Sequence, residues 1–331
     1  MAIYQPRGEQ SGTGSDAPHL FVPQSCIAAT LRYHSSVVHT EHILPLADKR
    51  QLSYLECGDP QGYPVLWCHG NPGSRRGWPL LLSRTGSVKA RVIIPDRPGF
   101  GKSDPQPSQS YLAWPADIVQ LVDALDIEQF VVAGVSGGGP FALACACQLS
   151  DRVAAVGLIS TGPPVAEVLR QANFTNRLVF TLGRRAPHLI RFYSFLLSHL
   201  ARRRPNRMIR QLLSGYGEAD SPLPHRPDLQ DFFRQYLGAA YAQGGRASAD
   251  EIVRFSRSWH LPLPQITTPV HLWHGEADTA LPPSFGRHLA EQLPHCSAQF
   301  IPAAGHLWIL DHLHEVLEML LREVHPTSLL D

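Results

Sequence analysis

Short apolar runs alternating with helix-period segments constrain this chain more than any other feature. The runs VLWCHG (65–70), ARVIIPD (90–96), FVVAGVS (130–136), VAAVGLIS (153–160), VHLWHG (270–275) and AQFIPAAG (298–305) are brief and rich in β-branched residues. Strands buried on both faces of a parallel sheet have this composition. Between them lie DIVQLVDAL (117–125), GPFALACACQLS (139–150), SFGRHLAEQL (284–293) and HEVLEMLLREV (314–324), with helical patterning. Strand and helix in alternation predict a doubly wound α/β sheet. Ahead of it, HILPLA and QLSYLECG, joined at DKR, predict a strand pair.

The alternation stops at about residue 163 and resumes at about 262. That stretch is Arg-rich, broken by prolines and helical in pattern, as in LIRFYSFLLSHLARRR and DFFRQYLGAAYAQ. It is expected to form an inserted helical subdomain within an α/β domain of residues 41–331. Residues 1–40 are rich in Gly, Ser, Pro and Gln with little periodicity, and are expected to be a flexible extension. Within it, CIAATLRYHSSVV is a candidate short helix.

Composition narrows the function classes. Of 331 residues 44% are hydrophobic, enough for a sizeable core, and the formal net charge of +1 gives no bulk attraction to nucleic acid. The six cysteines (26, 57, 68, 145, 147 and 296) have neither CxxC spacing nor the density of a disulfide scaffold. They are expected to be reduced and structural, with no metal site. No apolar run reaches the roughly 18 residues of a membrane span, so no integral span is expected. The first 20 residues lack an apolar h-region, and a cytoplasmic protein is the expectation. The sequence leaves the oligomeric state open.

Chemistry concentrates at Gly134-Val135-Ser136-Gly137-Gly138, a G-x-S-x-G motif between a predicted strand and a predicted helix. A strand turning sharply into a helix strains its corner residue, and the flanking positions must then be nearly free of side chain. The corner serine projects at the carboxyl edge of the sheet, where ligands bind in open α/β folds. Unpaired N–H groups of the first helical turn lie beside it. A serine nucleophile needs oxyanion donors, a base and an orienting carboxylate. The loop HGNPGS (69–74) follows a strand and offers the Asn71 N–H to join that of Gly137, and the Asn71 amide is a third candidate. His69, inside that loop, reads as structural.

The base is assigned to His306, which follows the last strand-like run in IPAAGHLWIL. The carboxylate is assigned to Asp278 in HLWHGEADTALPP, with Glu276 as competitor; Asp278 lies further from the strand end and has room to reach back. HLARRRPNR (199–207) reads either as a solvated surface or as a docking site for an anionic substrate or membrane face.

HGNPGS, DRPGFGKSD (96–104), GVSGGGP, HGEADTALPP and GHLWILD occur in the order and approximate spacing of the α/β-hydrolase fold. Over about residues 41–325 the chain resembles that superfamily of serine hydrolases. The resemblance implies an α/β-hydrolase fold, a triad in the order Ser136, Asp278, His306, and a cap formed by 163–262 over the active site. It implies that Asp96 and Arg97 are structural. Haloalkane dehalogenases and epoxide hydrolases share the HGNP loop but attack with a carboxylate, so Ser136 argues against both activities.

The expected activity is cleavage of an ester-type bond of a small, mostly apolar molecule through an acyl-enzyme, with no metal or organic cofactor. Aromatics of the insertion, and Trp308, are candidate walls of the cleft. Lactonase, carbon–carbon hydrolase, lyase and cofactor-free oxygenase chemistries use the same scaffold, as do ligand receptors that lack a working triad.

Overall fold

A computed structural model describes residues 2–4, 39–84, 88–106 and 110–324. The strands are β1 (Ala2–Tyr4), β2 (Thr40–Pro45), β3 (Gln51–Gly58), β4 (Tyr63–Cys68), β5 (Ala90–Pro95), β6 (Phe130–Val135), β7 (Val153–Ile159), β8 (Val270–Gly275) and β9 (Cys296–Ile301). Among the described residues they form one sheet in the order β1-β9-β8-β7-β6-β4-β5-β3-β2. Pairs from β5 through β4, β6, β7 and β8 to β9 are parallel. The β2–β3, β3–β5 and β1–β9 pairs are antiparallel. This is the α/β-hydrolase fold. Of the segment expected to be a flexible extension, Ala2–Tyr4 form an edge strand on β9. Residues 5–38, including the candidate short helix and Cys26, lie outside the described residues.

Helices cover both faces of the sheet: α1 (Trp78–Leu82), α2 (Trp114–Ala124), α3 (Gly139–Gln148), α10 (Pro283–Glu291) and α11 (Ile309–Val324). Between β7 and β8 the chain forms α4 (Val165–Val168), α5 (Phe174–Arg185), α6 (Pro187–Arg203), α7 (Pro205–Leu213), α8 (Pro227–Ala240) and α9 (Arg246–Phe255). The abundant prolines serve as initiators. Seven of these helices, α1, α2, α3, α6, α7, α8 and α10, carry Pro in their first two positions, where the missing N–H costs no hydrogen bond.

Alternation along the central strands divides the core in two. Leu66 and Val132 face α2, α3 and α10 with Trp114, Phe141 and Phe285. Val65, Trp67, Val131 and Ala133 face α1 and α11 with Trp78, Leu317 and Leu320. All of these side chains are almost fully buried, and the valines, leucines and phenylalanines among them are each worth roughly 1.5–3 kcal/mol of transfer free energy. Cys57, Cys68, Cys145, Cys147 and Cys296 are free thiols. Among the described residues no helix is long and apolar enough to cross a membrane.

Candidate active site

The turn from β6 into α3 places Ser136 at the carboxyl edge of the sheet in a left-handed conformation, φ +52°. A β-carbon on Gly134 would press on the carbonyl of Gly138, and one on Gly138 would strike the carbonyls of Cys68 and His69. The glycines therefore let two backbone segments touch. Gly139 has a separate reason: a side chain there would collide with Thr161, just past β7.

Ser136 Oγ lies 3.0 Å from His306 Nε2, and His306 Nδ1 lies 2.7 Å from Asp278 Oδ2. The three predicted residues thus converge from loops after β6, β8 and β9. The other Asp278 oxygen accepts the N–H groups of Ala280 and Leu281, at 2.9 and 2.8 Å. Two backbone bonds, Glu276 N–H to the Ile301 carbonyl and Ala277 N–H to the Ala304 carbonyl, tie the Asp278 and His306 loops together. Glu276, the competing carboxylate, points outward to Arg287.

The electrostatics follow from this arrangement. Burial opposes the charge on Asp278, but His306 and His274 outweigh it and hold the carboxyl well below its usual range. Burial likewise opposes charge on His306; the Asp278 carboxylate, with Asp220 behind it, outweighs burial and raises the imidazole pKa. Both shifts favour an ionic Asp278–His306⁺ pair once the imidazole takes a proton.

The loop 69–74, the candidate oxyanion loop, is held from several directions. Gly137 packs against Asn71: a β-carbon on Gly137 would lie 3.3 Å from the Asn71 nitrogen, so the two candidate donors are neighbours. The Asn71 amide, a candidate third donor, donates to the Ser248 carbonyl on α9, at 3.1 Å. His69 is fully buried, with Nδ1 donating to the Gly70 carbonyl and Nε2 accepting from the Arg97 N–H. Burial, reinforced by Arg97, holds its pKa well below the imidazole range. Arg97, also fully buried, donates to the carbonyls of His69 and Gly70 and forms a bidentate pair with Glu251 on α9, at 2.6 and 2.7 Å. Asp96 accepts from the Arg75 backbone and side chain and from Ser53.

Several contacts of the site were not foreseen from sequence. His274 Nε2 donates to the Leu281 carbonyl and lies 3.2 Å from Asp278 Oδ2. Its place four residues before Asp278 at a strand end is the available signal. Asp220, between α7 and α8, accepts the N–H groups of His306 and Leu307 at 2.7 and 3.0 Å. The Tyr236 hydroxyl on α8 accepts the Gly70 N–H at 2.9 Å. Sequence patterning carries no sign of these last two contacts. Trp308, a candidate wall, donates to Ser160 Oγ at 3.2 Å and packs at a tilt beside His312, with ring centroids 5.5 Å apart.

Two cavities meet at Ser136 and His306. A cavity of about 50 Å³ is walled by Trp78, Leu213, Phe232, Phe233 and Leu237. One of about 490 Å³ is lined by Phe180, Phe255 and Tyr193 with the polar groups of Thr175, Gln211 and Ser214.

A parallel sheet with a strained serine corner and a Ser–His–Asp line defines the class of hydrolase-fold proteins. A family model described as the alpha/beta hydrolase fold matches residues 63–313, and the chain belongs to that family. It is similar to a non-heme chloroperoxidase from Streptomyces lividans, 38% identical over 36% of this chain and 44% of that protein. It thus spans less than half of that relative's length. A 2-hydroxymuconate semialdehyde hydrolase from Pseudomonas putida is 26% identical over 76% of this chain and 83% of its own. Among solved structures, an esterase from Thermogutta terrifontis superposes with TM-score 0.63 at 23% identity, covering 86% of this chain and 99% of the other, a likeness of fold.

Proposed function

We propose that the chain is a serine hydrolase cleaving an ester-type bond, with Ser136 as nucleophile, His306 as base and Asp278 as orienting carboxylate. The hydrogen-bonded line from Ser136 Oγ through His306 to Asp278 carries this reading. His306 removes the Ser136 proton as Oγ attacks the carbonyl carbon, and the N–H groups of Asn71 and Gly137 receive the oxyanion. The imidazolium then protonates the leaving oxygen, the carbon–oxygen bond breaks, and an acyl-Ser136 remains. Water, deprotonated by His306, releases the acid. Asp278 fixes the tautomer with the proton on Nδ1.

Helices α4 to α9 act as a cap. Phe232 and Tyr236 of α8, with Tyr216 in the turn between α7 and α8, wall the narrow cavity, and Arg97–Glu251 fastens α9 to the oxyanion loop. The two cavities refine the substrate: a short apolar group on one side of the scissile bond, and a larger group with polar atoms on the other. Ser136→Ala should remove turnover of p-nitrophenyl esters and labelling by a fluorophosphonate while leaving the circular dichroism unchanged. Full turnover in that variant would defeat the assignment.

Carbon–carbon bond hydrolysis is the second reading, favoured by one of the relatives that align over most of both chains and by the polar groups of the wide cavity. Comparing p-nitrophenyl esters with 2-hydroxymuconate semialdehyde separates the two.

A further inference from the structure

Residues 168–217 hold ten arginines and no aspartate, glutamate or lysine, although the whole chain has a formal net charge of only +1. The same stretch carries most of the large apolar side chains that the described residues leave in solvent. α6 buries Ile190, Ser194, Leu197 and Ala201, an i, i+4, i+7, i+11 stripe. On the opposite side of that helix, Leu189, Phe192 and Leu196 are exposed, with Phe195 at their flank. α5 adds Phe174 and Leu178, one turn apart, and Phe174 is 82% and Phe192 61% exposed. Exposed arginines frame this face: Arg177 within α5, Arg184 and Arg185 at its end, Arg202 and Arg203 at the end of α6.

We infer that the α5–α6 hairpin is an interfacial docking surface for the anionic face of a phospholipid bilayer. Apolar side chains on one side of a helix, framed by arginines, suit a helix lying in the headgroup plane. Arg191 is held by Asp250 of α9 at 2.9 Å; each of the other arginines near an anionic leaflet adds attraction, and no carboxylate of residues 168–217 opposes them. A bilayer accepts protruding phenylalanines without a matching pocket. A second copy docking isologously would set the same arginines against themselves, which disfavours self-association through this face.

The position of the hairpin gives the surface a use. α5 and α6 line the wide cavity through Thr175, Val179, Phe180 and Tyr193. Their outward residues Phe174, Leu178 and Phe192 are sequence neighbours of these. A molecule held in the outer layer of the bilayer would meet the cavity beside the docking face. This consequence rests on the proposed ester cleavage and names its substrate class as amphiphilic esters dissolved in a membrane; the docking itself does not rest on it.

The test is sedimentation of the full chain with phosphatidylcholine vesicles, with and without phosphatidylglycerol, at low and high salt. Binding is expected with phosphatidylglycerol, weakening on the order of tenfold with salt or with Arg202→Glu/Arg203→Glu. Phe192→Asp/Leu196→Asp should abolish it while turnover of a soluble ester is unchanged. Absent binding, or equal binding to both vesicles with no salt effect, would overturn the inference. So would a stable dimer in size exclusion that Phe192→Asp/Leu196→Asp splits. Vesicle binding by a wild-type chain that turns over no ester would leave the docking surface standing and the proposed function failed.

Discussion

The backbone N–H of His306 donates to Asp220 Oδ2 at 2.7 Å across 86 residues of sequence. The same carboxylate accepts the N–H of Leu307, and a side chain on Gly305 would collide with it. The turn that carries it also sets the Tyr216 ring 5.1 Å from the His306 ring and packs Gly217 against Thr279, beside Asp278. The helical insertion thus grips both loops that bring Asp278 and His306 together.

Asp220→Ala leaves two backbone donors buried and unpaired, costing about 1–3 kcal/mol in local order around His306. We expect kcat to fall by about tenfold or more with a smaller change in KM, because each 1.36 kcal/mol in the barrier is tenfold in rate. Asp220→Asn keeps an acceptor oxygen and should recover part of the rate. Steady-state kinetics on a soluble ester check this, and equal kcat in all three proteins would show that Asp220 positions nothing.

The pH profile follows from the imidazole. His306 accepts the Ser136 proton only when neutral, so kcat/KM should rise with pH through its pKa. Asp278 and Asp220 raise that pKa, placing the acid limb above the ordinary imidazole value of about 6.5. The groups facing His306 are Asp278, Asp220, Tyr216 and Ser136, with His274 behind Asp278. Removing the Asp220 charge should move the limb to lower pH; movement to higher pH would contradict the sign.

Arg97 and Glu251 form a buried ion pair that joins the 69–74 loop to α9. Glu251→Gln strands a guanidinium and should destabilise the fold by about 3–5 kcal/mol. Urea unfolding measures the loss, and a change below about 1 kcal/mol would show that the guanidinium finds other partners.

Leu237 walls the narrow cavity. Leu237→Ala should cost about 2–5 kcal/mol in stability and enlarge that cavity. Among p-nitrophenyl esters the preferred acyl chain should lengthen; an unchanged preference would place the acyl group in the wide cavity.

His274 Nε2 lies 3.2 Å from Asp278 Oδ2. His274→Phe removes one of the two histidines that hold the carboxyl below its usual range, so the Asp278 pKa should rise. A carboxyl less depressed in the folded state contributes less stability as pH falls, so acid unfolding followed by circular dichroism should begin at higher pH than in the wild type. The acid limb set by His306 is not moved through Asp278. An unchanged acid-unfolding midpoint would show that His274 does not hold the carboxyl.

The local pattern of the chain determined its strands, its serine corner and the order of Ser136, Asp278 and His306. Strand periodicity, glycines demanded by backbone contact and a loop histidine after the last strand are short-range signals. Gly139 marks where that information stops: its reason is Thr161, brought beside it only by the pairing of β6 and β7. Asp220, Glu251 and Tyr236 lie further out still. Each is one polar residue of the insertion between β7 and β8 with nothing local to set it apart. Their partners are backbone groups or a buried guanidinium from other parts of the sheet, and long-range packing alone chose them. The two-sided cavity and the exposed face of α6 belong to the same category. A period of 3.6 says that a helix has two sides, but only the tertiary structure decides which apolar side is covered and which is left to meet something else.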